Sequence, residues 1–199
     1  FGSGFLNLDD DIEPELYVVS DRGAQVGGNR VLDNIAGVLT QIDGHSLNIS
    51  TSGMGLGIGD LNDDGIWDVI VPALGKNFMM VSDAPSGLWF DGATYLELQP
   101  DLDRDQASGW GGEICDINND ARLDVLMAYG TVRLKEFDEG SPRHAEVQPD
   151  EIYLGQPNGK YQGVAENWGL DDGFATRGTV IADINTDGYL DIVKREYGG

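Results

Sequence analysis

The segment Asp60-Leu61-Asn62-Asp63-Asp64-Gly65-Ile66-Trp67-Asp68 sets side-chain oxygens at every second position, inserts a turn glycine and closes on another carboxylate. Three acids at odd-numbered positions of one nine-residue loop, Asp60, Asp64 and Asp68, repel one another unless a cation sits among them. The pattern recurs as Asp116, Asn118, Asp120, Asp124 and as Asp183, Asn185, Asp187, Gly188, Asp191, and a degraded copy reads Asn7, Asp9, Asp11, Glu15. The first positions of these loops, 7, 60, 116 and 183, lie 53, 56 and 67 residues apart. Periods of that size restrict the chain to propellers, solenoids or arrays, in which each unit needs its neighbours to bury a core.

Oxygen ligands without thiol or imidazole select hard cations, and a flexible loop supplying several of them favours calcium over magnesium. Positions one, three, five and nine of each loop are expected to point inward, joined by the backbone carbonyl of position seven: Ile66, Arg122, Tyr189 and, in the degraded copy, Glu13. Three calcium sites are expected at loops 60–68, 116–124 and 183–191, with a fourth at loop 7–15 built on a poorer ligand set. Gly65 and Gly188 occupy the sharp turn; the other two loops carry Ala121 and Ile12 there. An EF-hand opens on the same run but needs a bidentate acid at position twelve. Val71, Met127 and Lys194 stand at that place, and the flanks read as strands.

Each loop is preceded by a short extended stretch with a glycine five residues before the first ligand: Gly2, Gly55, Gly111 and Gly178. Each is followed by a β-rich run, such as Asp68-Val69-Ile70-Val71 or Asp124-Val125-Leu126-Met127. Further strands are expected at Arg30-Val31-Leu32, at Phe78-Met79-Met80-Val81, and in the hairpin that turns at Asn158-Gly159. The alternating Gly53, Gly55, Gly57 and Gly59 suit an innermost strand with little room for side chains. The fold class is therefore all-β: a β-propeller of four-stranded blades, with the calcium loops between the first two strands of each. Units 1–52, 53–108, 109–176 and an incomplete 177–199 make about three and a half blades of one domain. Such an arc has two open ends, which predicts a segment of a longer propeller or completion by further copies or chains. The polar stretch 136–150 is expected to be an insertion between strands.

Composition narrows the function. A net charge of −23, from 12 basic and 35 acidic residues, argues against nucleic acid or an anionic membrane as partner. No apolar run reaches membrane-spanning length. Cys115 is the single cysteine and is read as a small buried residue. His45 and His144 are read as separate surface histidines outside any nucleophile motif, so no catalytic or cofactor-binding residue is assigned. Asn48-Ile49-Ser50 forms a glycosylation sequon. Trp67, Trp89, Trp110 and Trp168 suit packing between blades or stacking on sugar rings.

The run Gly53-Met54-Gly55-Leu56-Gly57-Ile58-Gly59-Asp60, the stretch Gly109-Trp110-Gly111-Gly112 leading to Asp124-Val125-Leu126-Met127-Ala128-Tyr129-Gly130, and Arg177-Gly178-Thr179 leading to Asp183 resemble the FG-GAP and VCBS calcium-repeat propellers. Within these the chain is most similar to the ASPIC/UnbV, cartilage-acidic-protein-like group, and more distantly to the integrin α-subunit head. The resemblance departs at loop 7–15 and at Ala121. It implies an extracellular, secreted or cell-surface protein in adhesion or in protein or glycan binding, with structural calcium and no catalysis. A carbohydrate-active propeller, either lectin or polysaccharide lyase, and a structural subunit of an extracellular assembly are the alternatives.

Overall fold

The computed structural model describes residues 2–9, 11–83, 86–98, 108–130, 148–170, 172 and 175–197. The expected insertion lies outside these up to residue 147, and so does His144. The described chain is all-β, with three short helices of four residues each. The first sheet is an antiparallel meander of β1 (Ser3–Leu6), β2 (Glu15–Val18), β3 (Arg30–Ile35) and β4 (Val38–Gln41). The second repeats that order with β5 (Gly57–Gly59), β6 (Asp68–Val71), β7 (Phe78–Asp83) and β8 (Leu88–Asp91). The third comprises β9 (Gly109–Cys115), β10 (Asp124–Tyr129), β11 (Glu151–Gly155) and β12 (Tyr161–Gly163), and the fourth pairs β13 (Ala175–Ala182) with β14 (Asp191–Tyr197). The helices α1 (Gly23–Val26), α2 (Ala93–Leu96) and α3 (Ala165–Trp168) follow β2, β8 and β12, and none flanks an acidic loop.

Every acidic loop joins the first and second strands of its sheet, as the spacing predicts. The hairpin between β11 and β12 turns at Gly159, whose φ of +73° lies in the left-handed region that glycine adopts most readily. The glycine-rich first strand of the second sheet is shorter than expected: β5 begins at Gly57, and Gly53 makes one isolated bridge to Ala73.

Period-two alternation decides which sheet packs on which, because successive side chains face opposite ways. Tyr17, Val19 and Val31 of the first sheet meet Val69, Val71 and Met80 of the second. The alternate residues Ile70, Met79 and Val81 meet Val125, Met127, Tyr129 and Tyr153 of the third. Leu126 and Ile152 then pack on Ile181 and Ile192 of the fourth. The interior sheets thus bury both faces in chain order. The outer faces stay open: Phe5 and Val180 are each 59% exposed.

The first strands of successive sheets stand side by side. A Cβ on Gly57 would lie 2.8 Å from the Gly112 carbonyl oxygen, and one on Gly55 would lie 2.5 Å from that of Trp110. Glycine is required there because backbone meets backbone, and no side chain fits between. No described helix is long and apolar enough to cross a membrane.

Candidate metal centres

The acidic loops share one internal hydrogen-bond scheme, set by short side chains that capture the backbone two to five residues on. In loop 60–68, the Asp64 N–H donates to Asp60 Oδ1 and Asn62 Oδ1, Gly65 N–H donates to Asp60 Oδ2 at 2.9 Å, and Ile66 N–H donates to Asp64 Oδ1 at 2.9 Å. Loop 116–124 repeats these bonds through Asp120, Ala121 and Arg122 N–H groups, and loop 183–191 through those of Asp187, Gly188 and Tyr189. The backbone thereby gathers the oxygens of positions one, three and five in these three loops. A carboxylate oxygen that accepts one N–H keeps a second lone pair for a cation.

Loop 7–15 follows the scheme only in part. Asp11 N–H donates to Asp9 Oδ1 and Glu13 N–H to Asp11 Oδ1, but Asn7 turns its amide nitrogen onto the Asp11 carbonyl. Even so, the ligand oxygens of Asp9, Asp11 and Glu15 all lie within 4.8 Å of one another.

The ninth position ties each loop to its sheet. Its carboxylate accepts the N–H of position two in all four loops: Leu8 to Glu15 at 2.6 Å, Leu61 to Asp68 at 2.6 Å, Ile117 to Asp124 at 2.9 Å and Ile184 to Asp191 at 3.0 Å. The second oxygen of Asp68 accepts Ser82 N–H from β7, and that of Asp124 accepts Gly155 N–H from β11. Asp68 and Asp124 are fully buried, and Glu15 is 1% exposed. Burial pushes Asp68 up to about 7 against the pull of the Ser82 and Leu61 N–H groups, and Asp64 and Asp60 raise it further. Burial likewise raises Asp124 and Glu15. Glu15 Oε1 is buried with no hydrogen-bond partner. A buried, unpartnered carboxylate oxygen beside two more acids fits a hard cation, which would supply the missing partner and oppose the desolvation. The donor sets of the other loops are all oxygen and fit the same ion.

Several contributors carried no local signal. Ser82 donates its hydroxyl to Asp64 Oδ2 at 2.6 Å and accepts Asn62 Nδ2 on its carbonyl. Tyr161, from β12 of the next sheet, donates its hydroxyl to the Leu61 carbonyl. Arg122 was expected to offer only its carbonyl, yet its guanidinium also pairs with Asp120 Oδ2 and donates through Nε to Gly155 O at 2.7 Å. That guanidinium supplies part of the positive charge that a metal would bring to loop 116–124. Asp183, Asn185, Asp187 and Tyr189 are all exposed at the surface of the fourth sheet.

The remaining polar candidates are engaged with neighbouring residues. His45 is not an isolated surface residue: its ring lies 5.2 Å from that of Trp89, Nδ1 accepts Leu47 N–H, and burial lowers its pKa. Cys115 is half-buried against the third core cluster, and burial pushes its thiol up to about 11, so it is protonated at neutral pH. The sequon residue Asn48 uses its amide to bridge the Val31 N–H and the Ile42 carbonyl, leaving it engaged in the fold. Trp89 is buried and Trp110 donates Nε1–H to the Gly130 carbonyl, with Arg177 4.0 Å above its ring, whereas Trp67 and Trp168 are exposed.

Residues 116–193 match the FG-GAP-like repeat. The match opens on Asp116, the first ligand position of one loop, and runs through the next loop to Val193 on β14. The matched segment spans a loop, most of a sheet and the loop that follows. No curated protein matches the chain.

Proposed function

We propose that the chain is an arc of a β-propeller of the FG-GAP/VCBS kind, closest to the ASPIC/UnbV group, whose acidic loops hold calcium and whose role is non-catalytic binding or adhesion outside the cell. One observation carries the calcium reading. Glu15, Asp68 and Asp124 are buried among other acids, and no lysine or arginine pairs with them among the described residues. Buried carboxylates without a counter-charge are costly, and a divalent cation removes that cost at three loops through one device. Loop 183–191 shares the hydrogen-bond scheme and is assigned the same ion.

Support for the propeller comes from the serial face-to-face packing of the sheets and from the close approach of their first strands. When bound, calcium would cross-link the first and second strands of each sheet; it supplies no chemistry beyond that. Extracellular modules bind calcium at about 10⁻⁴ M, so at ~1 mM each site adds roughly 1.4 kcal/mol to folding. The extracellular assignment follows from the family likeness alone. Exposed Trp67 and Trp168 favour a glycan among the ligands such a surface would bind.

The test is bound-metal content together with thermal unfolding, with and without a chelator. Calcium at two or more ions per chain and a melting temperature that falls by several degrees on chelation are expected. Equal melting temperatures and no retained metal would reject the reading.

A further inference from the structure

The fourth residue of an acidic loop is not a ligand position, yet in loop 116–124 it reaches into the next loop. Asn119 sits in the left-handed region at φ +60°, between Asn118 and Asp120 at positions three and five. Its Nδ2 donates to the Gly188 carbonyl of loop 183–191 at 2.7 Å. That carbonyl belongs to the peptide whose N–H, on Tyr189, donates to Asp187 Oδ1 at 2.9 Å, while Gly188 N–H donates to Asp183 Oδ2 at 2.9 Å. Both ends of the Gly188–Tyr189 peptide are therefore held, one by a ligand of its own loop and one by its neighbour. The next carbonyl along is that of Tyr189, the seventh-position ligand.

In loop 60–68 the fourth residue, Asp63, is also left-handed, at φ +63°, and lines a cleft of about 270 Å³ with Ala121 and Arg122 of the following loop. Asp63 thus borders the same cleft as the following loop, and at Asn119 the approach is closed by a hydrogen bond.

We infer that Asn119 is a positioning residue that couples the metal sites of loops 116–124 and 183–191, so that filling one raises the affinity of the other. The inference rests on the calcium reading above. A cation drawing Asn118 and Asp120 inward fixes the residue between them, and a fixed Asn119 holds the Gly188–Tyr189 peptide in its ligand-presenting orientation. Coupling is reciprocal by linkage, so loop 183–191 acts back on loop 116–124 to the same extent.

The experiment is calcium titration of the 199-residue chain followed by amide resonances, reading Gly188 for the fourth loop, Ala121 for the third and Gly65 for the second. Asn119→Gly suits the left-handed backbone and removes the donor without changing the charge of the loop. Loss of one hydrogen bond should raise the calcium midpoints at Gly188 and Ala121 by about two- to tenfold in this variant. The midpoint at Gly65 should not change. Asp116→Ala, which removes a ligand of the third loop, should raise the Gly188 midpoint similarly, and adding Asn119→Gly to it should cause no further shift. An unchanged Gly188 midpoint in Asn119→Gly, or additive shifts in the double variant, overturns the coupling while leaving calcium binding intact. No calcium response at Gly65 or Gly188 in the parent chain overturns the calcium reading and the coupling with it.

Discussion

Asp68→Asn separates the two roles of a ninth-position carboxylate. Asp68 accepts Leu61 N–H on one oxygen and Ser82 N–H on the other, each at 2.6 Å, and is fully buried. Asparagine keeps the shape but turns one acceptor into an NH₂ group that faces a backbone donor. One buried N–H is then left unsatisfied, which costs about 1–3 kcal/mol whether or not metal is bound. Loss of the proposed calcium ligand should add roughly 1.4 kcal/mol more at ~1 mM calcium. At 2–4 °C per kcal/mol for a chain of this size, the melting temperature should fall by roughly 2–12 °C in chelator and by about 3–6 °C more in calcium. Urea unfolding reports the free energies directly, through the fluorescence of Trp89, whose Nε1–H donates to the Trp67 carbonyl at 2.9 Å. Working at pH 8 keeps Asp68 ionised in the parent, since its pKa is raised to about 7. Asp183→Ala is the control, because its oxygens accept Asp187 and Gly188 N–H groups at an exposed site where water can replace them. It should cost within about 0.5 kcal/mol in chelator and roughly 1.4 kcal/mol in calcium. Parent-like stability of Asp68→Asn in chelator would refute the buried-acceptor reasoning. A calcium increment as large in Asp68→Asn as in the parent would refute the metal reasoning.

Lys194 is largely buried and pairs with Asp150 at 2.9 Å and Asp172 at 2.7 Å, and Asp150 is 1% exposed, so Lys194→Met strands a buried charge and should destabilise by about 3–5 kcal/mol in denaturant titrations. Ala121 is held at φ +65° where two sister loops have glycine; Ala121→Gly relieves roughly 1–2 kcal/mol of left-handed strain against about 0.5–1 kcal/mol of added unfolded-chain entropy. Calorimetry of Ala121→Gly should therefore show a melting temperature up to about 6 °C higher. Burial lowers the His45 pKa, so the folded chain binds this proton less readily than the unfolded chain, and the stability contributed at high pH is lost as pH falls below about 6.5. The difference in melting temperature between the parent and His45→Gln should change between pH 8 and pH 5; parallel curves would contradict it.

The acidic loops and the strands on either side were legible in the sequence because their information is local. Alternating oxygens, a turn glycine and a following β-branched run act within one nine-residue loop and the strand behind it, and a repeat near 60 residues multiplies the signal. The hairpin at Asn158-Gly159 was legible for the same reason. What only the tertiary structure decided lies at larger separation. Ser82 reaches Asp68 across 14 residues, Gly155 reaches Asp124 across 31, and Asn119 reaches Gly188 across 69. The placing of His45 against Trp89 and the engagement of the Asn48 amide belong to the same class. The sequence determined that four loops gather oxygen and that each joins a pair of strands. Sheet pairing and packing decided which of those carboxylates are stripped of water, since burial depends on neighbours that no local period records.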